Sequence, residues 1–468
     1  MKILLISSNT AQSPYPVYPL GLGMIAQVLR AVGHQVLVFD FLASDKSLAA
    51  LAAKTKDFAP DMIGISVRNI DNVNLLHEQK YIGVVKDIVD TLRANSTAVV
   101  VLGGAGFSIM PEVILDKVGA DYGVVGEGEE LVLEIASALA CGRKPASRIM
   151  RAPLKLESDL IPSAYYDPLL MDFYLKSGNM ASVQTKRGCA HACTYCTYPL
   201  LEGHTLRCRE PNAVVDDIER LLKEHKVQLI FFTDSVFNDD AGHYLDICRL
   251  MKKRNLVVPW TAFFKPQGMD EAGVRLMKAT GLSAAELGSD APTDTALRGL
   301  NKTFRFQDIR EANALLANQG IATANYFMFG SPGETKAAVL EGIENIKSLD
   351  KTVSFIFMGI RILPGTGLYQ RALADKLVAA ADDLLEPVYY ISPALDKKWL
   401  EETLTEAFKG IRHCVFPPDA LESSLQFMHK LGYSGLMWEI LIPGNQKRNR
   451  AKRPATNPQS YKGESRRA

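Results

Sequence analysis

The chain has 468 residues, a length that suits two or three domains. Hydrophobic residues make up 47% of it, and the formal net charge of +1 gives no strong field that would attract nucleic acid or an anionic membrane. No run of about 18 apolar residues is present, so no transmembrane segment is predicted. The apolar start, residues 1–8, is too short for a signal peptide. We therefore expect a cytoplasmic protein with reduced cysteines.

Residues 1–145 alternate short apolar runs with amphipathic stretches. The stretches predict helices at residues 20–32, 75–93 and 127–140. This alternation indicates an α/β domain with a doubly wound, Rossmann-like parallel sheet, whose ligands bind at the carboxyl ends of the strands. The predicted strands are residues 3–7, 35–39, 62–67, 98–102 and 121–125.

Two glycine-rich loops follow strands of this first region. Gly103, Gly104 and Ser108 follow the fourth strand, and Gly126 and Glu127 follow the fifth. A dinucleotide fingerprint would follow the first strand with the spacing G-x-G-x-x-G, which neither loop has. By themselves, the glycines indicate tight turns at the ligand-binding edge of the sheet.

A second alternating region begins near residue 179, after a segment of mixed charge at 146–178 that is interpreted as a linker. Its helices are predicted at residues 212–226, 242–254, 270–280, 306–318 and 336–349. Its strands are predicted at residues 181–185, 228–233, 258–264, 284–288, 322–329 and 354–362.

Three cysteines lie close together just after the first of these strands: Cys189, Cys193 and Cys196. Four ligands complete a structural zinc site, and His191 or His204 could complete this one. A zinc knuckle normally has a second ligand pair at some distance, and the sequence has no second Cys-x-x-Cys or His-x-x-x-His. Three thiolates in one loop favour a 4Fe–4S cluster with one iron left open for a small ligand.

The loop resembles the signature of the radical S-adenosylmethionine superfamily, which has this spacing and an aromatic residue before the last cysteine, here Tyr195. The resemblance implies that Cys189, Cys193 and Cys196 bind three irons and that S-adenosylmethionine binds the fourth. An electron donor such as flavodoxin or ferredoxin would reduce the cluster, and cleavage of the sulfonium would yield a 5′-deoxyadenosyl radical. Tyr195 would lie near the adenine; the alternative is a packing aromatic.

The same resemblance implies a partial (β/α)6 barrel over residues 179–385, then a small helical region at 386–445 and a basic, disordered tail at 446–468. Sites on such barrels lie at the carboxyl ends of the strands.

Several strand-end residues gain roles in cofactor binding from this resemblance. Glu286, Ser289 and Asp290 occupy the place where relatives have the sequence Gly-x-Glu-Ser. The acidic residue expected in that motif is shifted here to Asp290. Ser289 and Asp290 would therefore contact the ribose or, as the alternative, cap the next helix. Gly330, Pro332 and Gly333 belong to a turn that lies close to the adenosyl group in relatives. The turn consists of Gly330, Ser331, Pro332, Gly333, Glu334 and Thr335.

Four polar residues around the loop have open interpretations. Lys186 and Arg187 precede the cysteines, where a positive charge could stabilise the reduced cluster or steer a carboxylate, or form a plain surface pair. Asp234 and Asn238 follow the second strand, where they line the substrate side or a solvated loop.

Residues 1–145, placed before such a barrel, resemble the cobalamin-binding domain of cobalamin-dependent radical S-adenosylmethionine enzymes. The resemblance implies a corrinoid on the strand ends beside the two glycine-rich loops: Gly103, Gly104, Ser108, Gly126 and Glu127. The sequence lacks the D-x-H-x-x-G motif, and His34 and His77 are interpreted as ordinary polar positions, so the cobalt would have no histidine ligand from the protein. The alternative is a domain that has lost cobalamin.

The family resemblance implies methyl transfer to an unactivated carbon of a small-molecule or lipid-type substrate. Ring formation, rearrangement or oxidation is the main alternative, and a non-catalytic redox or cobalamin sensor is the second. A methylthiotransferase would need three more cluster cysteines, and the first domain has only Cys141. The loop also resembles the ladderane-associated lipid-biosynthesis subgroup, which would imply a fatty acyl substrate and contact of the basic tail with an acyl carrier protein.

Overall fold

The computed structural model describes residues 1–12, 15–152, 155–430 and 435–443. The predicted basic tail, 446–468, lies outside these residues. Within the described ranges, no helix is long and apolar enough to cross a membrane.

The amino-terminal region forms one six-stranded parallel sheet. Its strands are β1 (Lys2–Ser7), β2 (Gln35–Asp40), β3 (Met62–Ser66), β4 (Val99–Gly103), β5 (Tyr122–Val125) and β6 (Ile149–Arg151). Their order is β2-β1-β3-β4-β5-β6, and every neighbouring pair is parallel. The order reverses direction at β1, so the ligand-binding crevice of this sheet lies at the carboxyl ends of β1 and β3.

Helices cover both faces of this sheet, which confirms the doubly wound prediction. Leu51, Val85 and Ile114 pack on one face, and Leu29 and Ile135 pack on the other. The helices are α1 (Leu20–Ala31), α2 (Leu48–Phe58), α3 (Ile82–Asn95), α4 (Ala105–Ile109), α5 (Pro111–Val118) and α6 (Glu129–Ala140).

The helix predicted at residues 75–93 begins only at Ile82. The preceding loop is held by asparagine side chains, because Asn72 Oδ1 accepts from the backbone N–H of Asn74 and of Gln79, and Asn74 Oδ1 accepts from Leu76 N–H. Such local side-chain bonds offer the backbone an alternative to the helix.

Residues 146–178, interpreted as a linker, contribute three ordered elements. They are β6, which extends the first sheet, a 3₁₀ helix (Ser158–Leu160) and helix α7 (Pro168–Gly178). Asp167 caps α7 by accepting from the backbone N–H of Leu169 and Leu170.

The second region forms a seven-stranded parallel sheet, which confirms the partial barrel. Its strands are β7 (Met180–Val183), β10 (Leu229–Phe232), β11 (Trp260–Phe264), β12 (Ala284–Asp290), β13 (Ala322–Phe329), β14 (Thr352–Met358) and β17 (Cys414–Val415). Their order is β17-β14-β13-β12-β11-β10-β7, so the two edges remain apart. Sequence analysis did not predict β17, whose two residues carry no periodicity; the carboxy-terminal region thus adds a strand to the barrel.

Two short antiparallel ribbons stand beside the barrel. One pairs β8 (Lys186–Arg187) with β9 (Arg207–Cys208), and the other pairs β15 (Ile360–Arg361) with β16 (Tyr389–Tyr390). The remaining helices are α8 (Tyr198–Glu202), α9 (Pro211–His225), α10 (His243–Lys253), α11 (Glu271–Ala279), α12 (Asp294–Gly299), α13 (Phe306–Asn318), α14 (Lys336–Lys347), α15 (Gly367–Ala374), α16 (Lys397–Phe408), α17 (Glu422–Lys430) and a 3₁₀ helix (Met437–Leu441).

The two faces of the barrel sheet bury different sets of residues. The outer face packs against helices α9–α11, with Trp260 and Ile247 fully buried there. The inner face packs against Tyr15, from the loop after β1, and against Trp438. The amino-terminal domain therefore reaches into the barrel.

Candidate active site

The cysteine loop lies between the two domains because buried ion pairs join its flanking ribbon to the first sheet. Arg187 Nη2 lies 2.5 Å from Glu129 Oε1. Arg207 makes two bonds to Glu127, of 2.5 Å and 2.9 Å, and all four side chains are less than 10% exposed. Glu127 and Glu129 follow β5, so the carboxyl edge of the first sheet is fixed against the base of the cysteine loop.

The backbone of the loop is held at both ends. Cys189 N–H donates to Gly203 O at 3.0 Å, and Thr194 N–H donates to Leu300 O at 3.1 Å. Gly188, which precedes the first cysteine, has φ +93°, and a Cβ there would lie 2.1 Å from Thr205 O. Only glycine fits this turn, which brings the chain from β8 into the loop.

The three thiols of the loop are free, and Cys189 is buried. Burial raises the pKa of the Cys196 thiol to about 12, and burial also raises that of Cys193 against the opposing charge of Lys302. In the described part of the chain, no three His, Cys, Asp or Glu side chains are grouped to hold a single metal ion. In a 4Fe–4S cluster each thiolate binds a different iron, so three separate thiols fit such a cluster better than they fit one zinc ion.

Tyr195 and Asp290 contact each other at the mouth of the barrel. The Tyr195 hydroxyl donates to Asp290 Oδ1 at 2.7 Å, and Lys302 forms an ion pair with Oδ2. The Lys302 ammonium also lies 5.4 Å from the centroid of the Tyr195 ring. Asp290 has φ +59°, a left-handed conformation that is uncommon outside glycine and that collects at functional sites. Sequence reasoning missed Lys302, which has no motif around it.

Ser289 points away from the barrel interior. Its hydroxyl donates to Asn325 Oδ1 at 2.5 Å, and Asn325 is bonded in turn to Asn313 and Thr352. All four side chains are buried in this network, so the structure gives Ser289 a packing contact rather than a free hydroxyl.

Glu286 faces the barrel interior. It accepts a hydrogen bond from the Tyr15 hydroxyl at 3.0 Å and from the Tyr326 hydroxyl at 2.7 Å. Burial raises its pKa to about 7, and the two tyrosine bonds oppose this rise. Sequence reasoning selected Glu286 but could not pair it with Tyr15, which lies 271 residues earlier.

The turn after β13 lies close to the cysteine loop. Glu334 Oε2 accepts from the N–H groups of Gly330 and Ser331, at 2.6 Å and 2.9 Å. Burial raises the pKa of Glu334 to about 7, and its other carboxyl oxygen is buried without a hydrogen bond. Pro332 packs so tightly on Gly299 that a Cβ at Gly299 would lie 2.1 Å from Pro332 O.

Gly333 completes this turn with φ +78°, and nothing lies within 4 Å of a Cβ built there. Gly299 connects the turn to the cysteine loop. It packs on Pro332 of the turn, and its carbonyl accepts a hydrogen bond from the Thr194 hydroxyl of the loop at 3.5 Å.

Ser108 joins the two glycine-rich loops of the first domain. Its hydroxyl donates to Gly104 O at 2.9 Å and accepts from Gly126 N–H at 2.9 Å. Gly104 has φ +97°, and a Cβ there would lie 2.7 Å from Val67 O, whereas a Cβ at Gly103 meets only Val124 O at 3.8 Å.

A cavity of about 210 Å³ opens beside these loops. It lies between the first domain and the helix that follows the cysteines. Its lining includes Ser108, Gly126, Arg151, Lys155, Thr197 and Leu200. The predicted contact Glu127 is turned away, because it binds Arg207 and accepts from Leu156 N–H.

Two family models match the chain. The B12 binding domain model matches residues 6–136, and the Radical SAM superfamily model matches residues 183–346. The chain belongs to the cobalamin-binding radical S-adenosylmethionine proteins. The second match indicates a 4Fe–4S cluster with S-adenosylmethionine, and the first indicates cobalamin.

Similar proteins share this two-domain arrangement over most of their length. The chain is 26% identical to the tryptophan 2-C-methyltransferase of Streptomyces laurentii, over 79% of this chain and 74% of that one. It is 28% identical to an uncharacterised methyltransferase of Pyrococcus horikoshii, over 81% and 84%. The solved radical S-adenosylmethionine methyltransferase TsrM of Kitasatospora setae, with cobalamin and a 4Fe–4S cluster bound, has the same fold, with a TM-score of 0.82, 24% identity, and coverage of 94% and 97%.

The residues of this radical S-adenosylmethionine protein fit both metal cofactors. Cys189, Cys193 and Cys196 are free thiols of the kind that binds iron. Gly104 and Gly126 have positive φ angles, at which a Cβ would strain the backbone, and the cavity beside Gly126 is also lined by Thr197, the residue after Cys196. Since the cavity is smaller than a corrinoid, it would receive only part of one.

The two histidines of the first domain lie elsewhere. His34 Nδ1 lies 3.4 Å from the amino terminus, at the edge where the strands begin. His77 Nδ1 lies 2.7 Å from Asp419 Oδ2. Neither side chain lines the cavity at the strand ends.

The four polar residues with open interpretations have structural partners. Lys186 Nζ lies within 3.3 Å of Asp234 and Asp239, and its side chain is 1% exposed. Asn238 donates to the carbonyls of Lys265 and Gln267. These contacts, with the Arg187–Glu129 pair described above, brace the loop from behind instead of lining a substrate path.

Proposed function

We propose that this protein transfers a methyl group from S-adenosylmethionine to a carbon atom of a small molecule, with cobalamin as the methyl carrier. The observation that carries the proposal is the placement of the cysteine loop. The Arg187–Glu129 and Arg207–Glu127 pairs hold it against the carboxyl edge of the first sheet, which supports a cluster close to the cobalamin-binding domain.

The protein's own residues would hold and orient the reactants. When bound, the cluster supplies electrons to S-adenosylmethionine and cobalamin carries a methyl group. The three cysteines would bind the iron, and the turn at Gly330 and Gly333 would lie along the nucleoside. The roles of Tyr195, Ser289 and Asp290 in binding S-adenosylmethionine stay predictions, and the contacts in the structure favour Asp290 as the partner of Tyr195.

The relatives support methyl transfer over the alternatives. All three relatives described above are methyltransferases by name, and one of them is a tryptophan 2-C-methyltransferase. A purely sensory role would need no barrel interior open to a substrate, whereas Phe263 on the inner wall is 36% exposed.

Isotope transfer tests this function. The full chain would be reconstituted anaerobically with iron, sulfide and cobalamin, then given a chemical reductant and S-adenosylmethionine that carries a trideuterated methyl group. We expect S-adenosylhomocysteine to form and, with an accepted substrate, the label to enter the product. The Cys189→Ala variant is the matched negative, with Cys141→Ala, an exposed cysteine in the first domain, as the positive control.

The nucleoside products separate the alternatives. Formation of 5′-deoxyadenosine without S-adenosylhomocysteine would favour ring formation, rearrangement or oxidation. Formation of neither product by the reconstituted protein would contradict an enzymatic role and favour the sensor.

Several finer predictions remain part of this proposal. They are a lipid-type substrate, an acyl carrier protein as partner, flavodoxin or ferredoxin as electron donor, and a cytoplasmic location. The lipid prediction rests on the sequence of the loop, on residues 197–203 after it and on the strand end at residues 232–234, and the relatives described above carry no lipid in their names.

A further inference from the structure

The inner wall of the barrel is aromatic and becomes exposed toward the carboxyl ends of the strands. Phe231, which pairs with Thr261 two residues before Phe263 on the neighbouring strand, is 5% exposed, whereas Phe263 is 36% exposed although it lies in the middle of the sheet. On β14, Phe355 is 7% exposed. Tyr326 and Phe357 are also partly exposed. A wall that is buried below and exposed above describes a pocket open toward the cysteine loop.

The floor of this pocket is closed by two segments from outside the barrel. Tyr15 reaches in from the first domain and packs edge-on against Phe231, with ring centroids 6.1 Å apart. Trp438 and Leu441, from the last described helix, belong to the same apolar cluster. These side chains cover the inner face of the sheet below Phe263.

The rings of the wall are already ordered against one another. Tyr326 stacks on Phe355 with an interplanar angle of 16°, and Phe263 meets Phe231 edge-on at 5.2 Å. Aromatic pairs of this geometry add stability beyond their buried area, and a flat ring can extend them.

One polar group is placed on this wall. Glu286 lies directly opposite Phe263 in the strand register, and its carboxyl accepts hydrogen bonds from two tyrosines of the barrel interior. Glu286 itself is 1% exposed, so a ligand cannot reach it freely. Tyr326 covers it, is partly exposed, and donates its hydroxyl proton to the carboxyl at 2.7 Å.

The hydrogen bond from Tyr326 to Glu286 makes the Tyr326 oxygen a hydrogen-bond acceptor toward a ligand. Because the Tyr326 proton is held by Glu286, the lone pairs of its oxygen are free to accept a hydrogen bond. A carboxylate ligand would instead bring a second negative charge close to the Glu286 carboxyl, which lies directly behind this hydroxyl.

We propose that the barrel pocket binds a flat aromatic ring that carries an N–H or O–H group, with the ring on the Phe263 and Tyr326 faces and its donor on the Tyr326 hydroxyl. Glu286 is a positioning residue, which orients that hydroxyl. The inference rests on the proposed function and deepens it, since it names an aromatic methyl acceptor as the alternative to the fatty acyl chain predicted from the sequence.

Equilibrium binding tests the inference without turnover. Isothermal titration of the anaerobically reconstituted full chain would compare three probes: indole, 1-methylindole, which lacks the N–H, and decanoate. We expect indole to bind roughly threefold to tenfold more tightly than 1-methylindole, the range of one net hydrogen bond. Decanoate should bind more weakly than either.

Three phenylalanine variants assign the effect to one hydroxyl. Tyr326→Phe should remove the preference for indole. Tyr15→Phe, which loses the other bond to Glu286 from the buried floor, should keep it. Tyr244→Phe, whose hydroxyl donates to Gly268 O outside the barrel, is the matched control. Thermal unfolding of each variant would show that it is folded.

Three results would overturn the inference: equal binding of indole and 1-methylindole by the unmodified protein, tighter binding of decanoate, or loss of the preference in Tyr15→Phe as much as in Tyr326→Phe. These outcomes are independent of the isotope assay. Methyl transfer with no ring binding would reject the pocket and keep the function, and ring binding without S-adenosylmethionine turnover would do the reverse.

Discussion

The Tyr195 hydroxyl, one residue before the last cysteine of the loop, donates to Asp290 at the end of β12. The Lys302 ammonium lies 5.4 Å from the centroid of the Tyr195 ring and also interacts with Cys193, where it opposes the rise in pKa that burial causes. The contact places one positive charge beside a cluster ligand in a site that is largely shielded from water, because the Lys302 side chain is 10% exposed.

Replacement of Lys302 by methionine should lower the reduction potential of the cluster. The reduced cluster carries one more negative charge, and a nearby cation stabilises it. A redox titration followed by electron paramagnetic resonance would measure the midpoint potential. Lys302→Arg should restore it, and Lys347→Met, on the exposed face of α14, is the matched control. An unchanged potential in Lys302→Met would refute this electrostatic role.

Gly104→Ala should reduce the amount of cobalamin that the protein retains. The new Cβ would lie 2.7 Å from Val67 O and would force the loop after β4 to shift. The cobalt-to-protein ratio after gel filtration is the measurement, and the iron content should stay unchanged. Gly33→Ala has the same left-handed φ cost, at +87°, but no atom within 4 Å of its Cβ. Equal cobalt loss in the two variants would point to backbone strain alone.

Removal of the Arg207 charge should destabilise the contact between the domains. Glu127 would lose its two short bonds to a guanidinium and keep the longer contact with Arg187, at 3.7 Å, so we expect a loss of about 3 kcal/mol in the free energy of unfolding. Urea unfolding of Arg207→Met would measure it, and adding Glu127→Gln should recover part of the loss. The exposed pair Arg148–Asp116 is the comparison, for which we expect less than about 1 kcal/mol. Similar losses for the two pairs would contradict the buried role.

Glu286 should make the stability of the protein fall as the pH rises from about 5 to 8. Its folded pKa, about 7, lies above the ordinary value of 4.5, so between these values the folded state binds more protons than the unfolded state. Its contribution is then most favourable at low pH and is lost as the pH rises through the folded pKa.

The Glu286→Gln variant removes this dependence. Relative to the unmodified protein it should gain roughly 3 kcal/mol over that pH range, measured by urea unfolding at each pH. Glu334, whose pKa is also about 7, stays in both proteins and cancels. The exposed Glu224→Gln is the control, and a gain that is the same for both variants would refute the assignment.

Long, periodic elements could be predicted from the sequence. The six predicted barrel strands and the five predicted strands of the first sheet all form. A short apolar run bounded by turn residues is typical of a buried strand, so the local sequence is enough to predict it. Two features were not predicted because they depend on tertiary contacts or on local side-chain bonds. Strand β17 is two residues long and forms by pairing with β14 at the barrel edge. Asparagine side chains bond the backbone before Ile82, so those residues do not form a helix.

The cysteine loop by itself determined the family and the iron chemistry, because ligand spacing is a local property of the chain. The tertiary structure alone decided which polar residues are free to act. It pairs Arg187 with Glu129 across 58 residues and Tyr15 with Glu286 across 271. It also buries Ser289 in a network and turns Glu127 away from the cavity. Such partners depend on how two sheets meet, and nothing in the local sequence encodes that meeting.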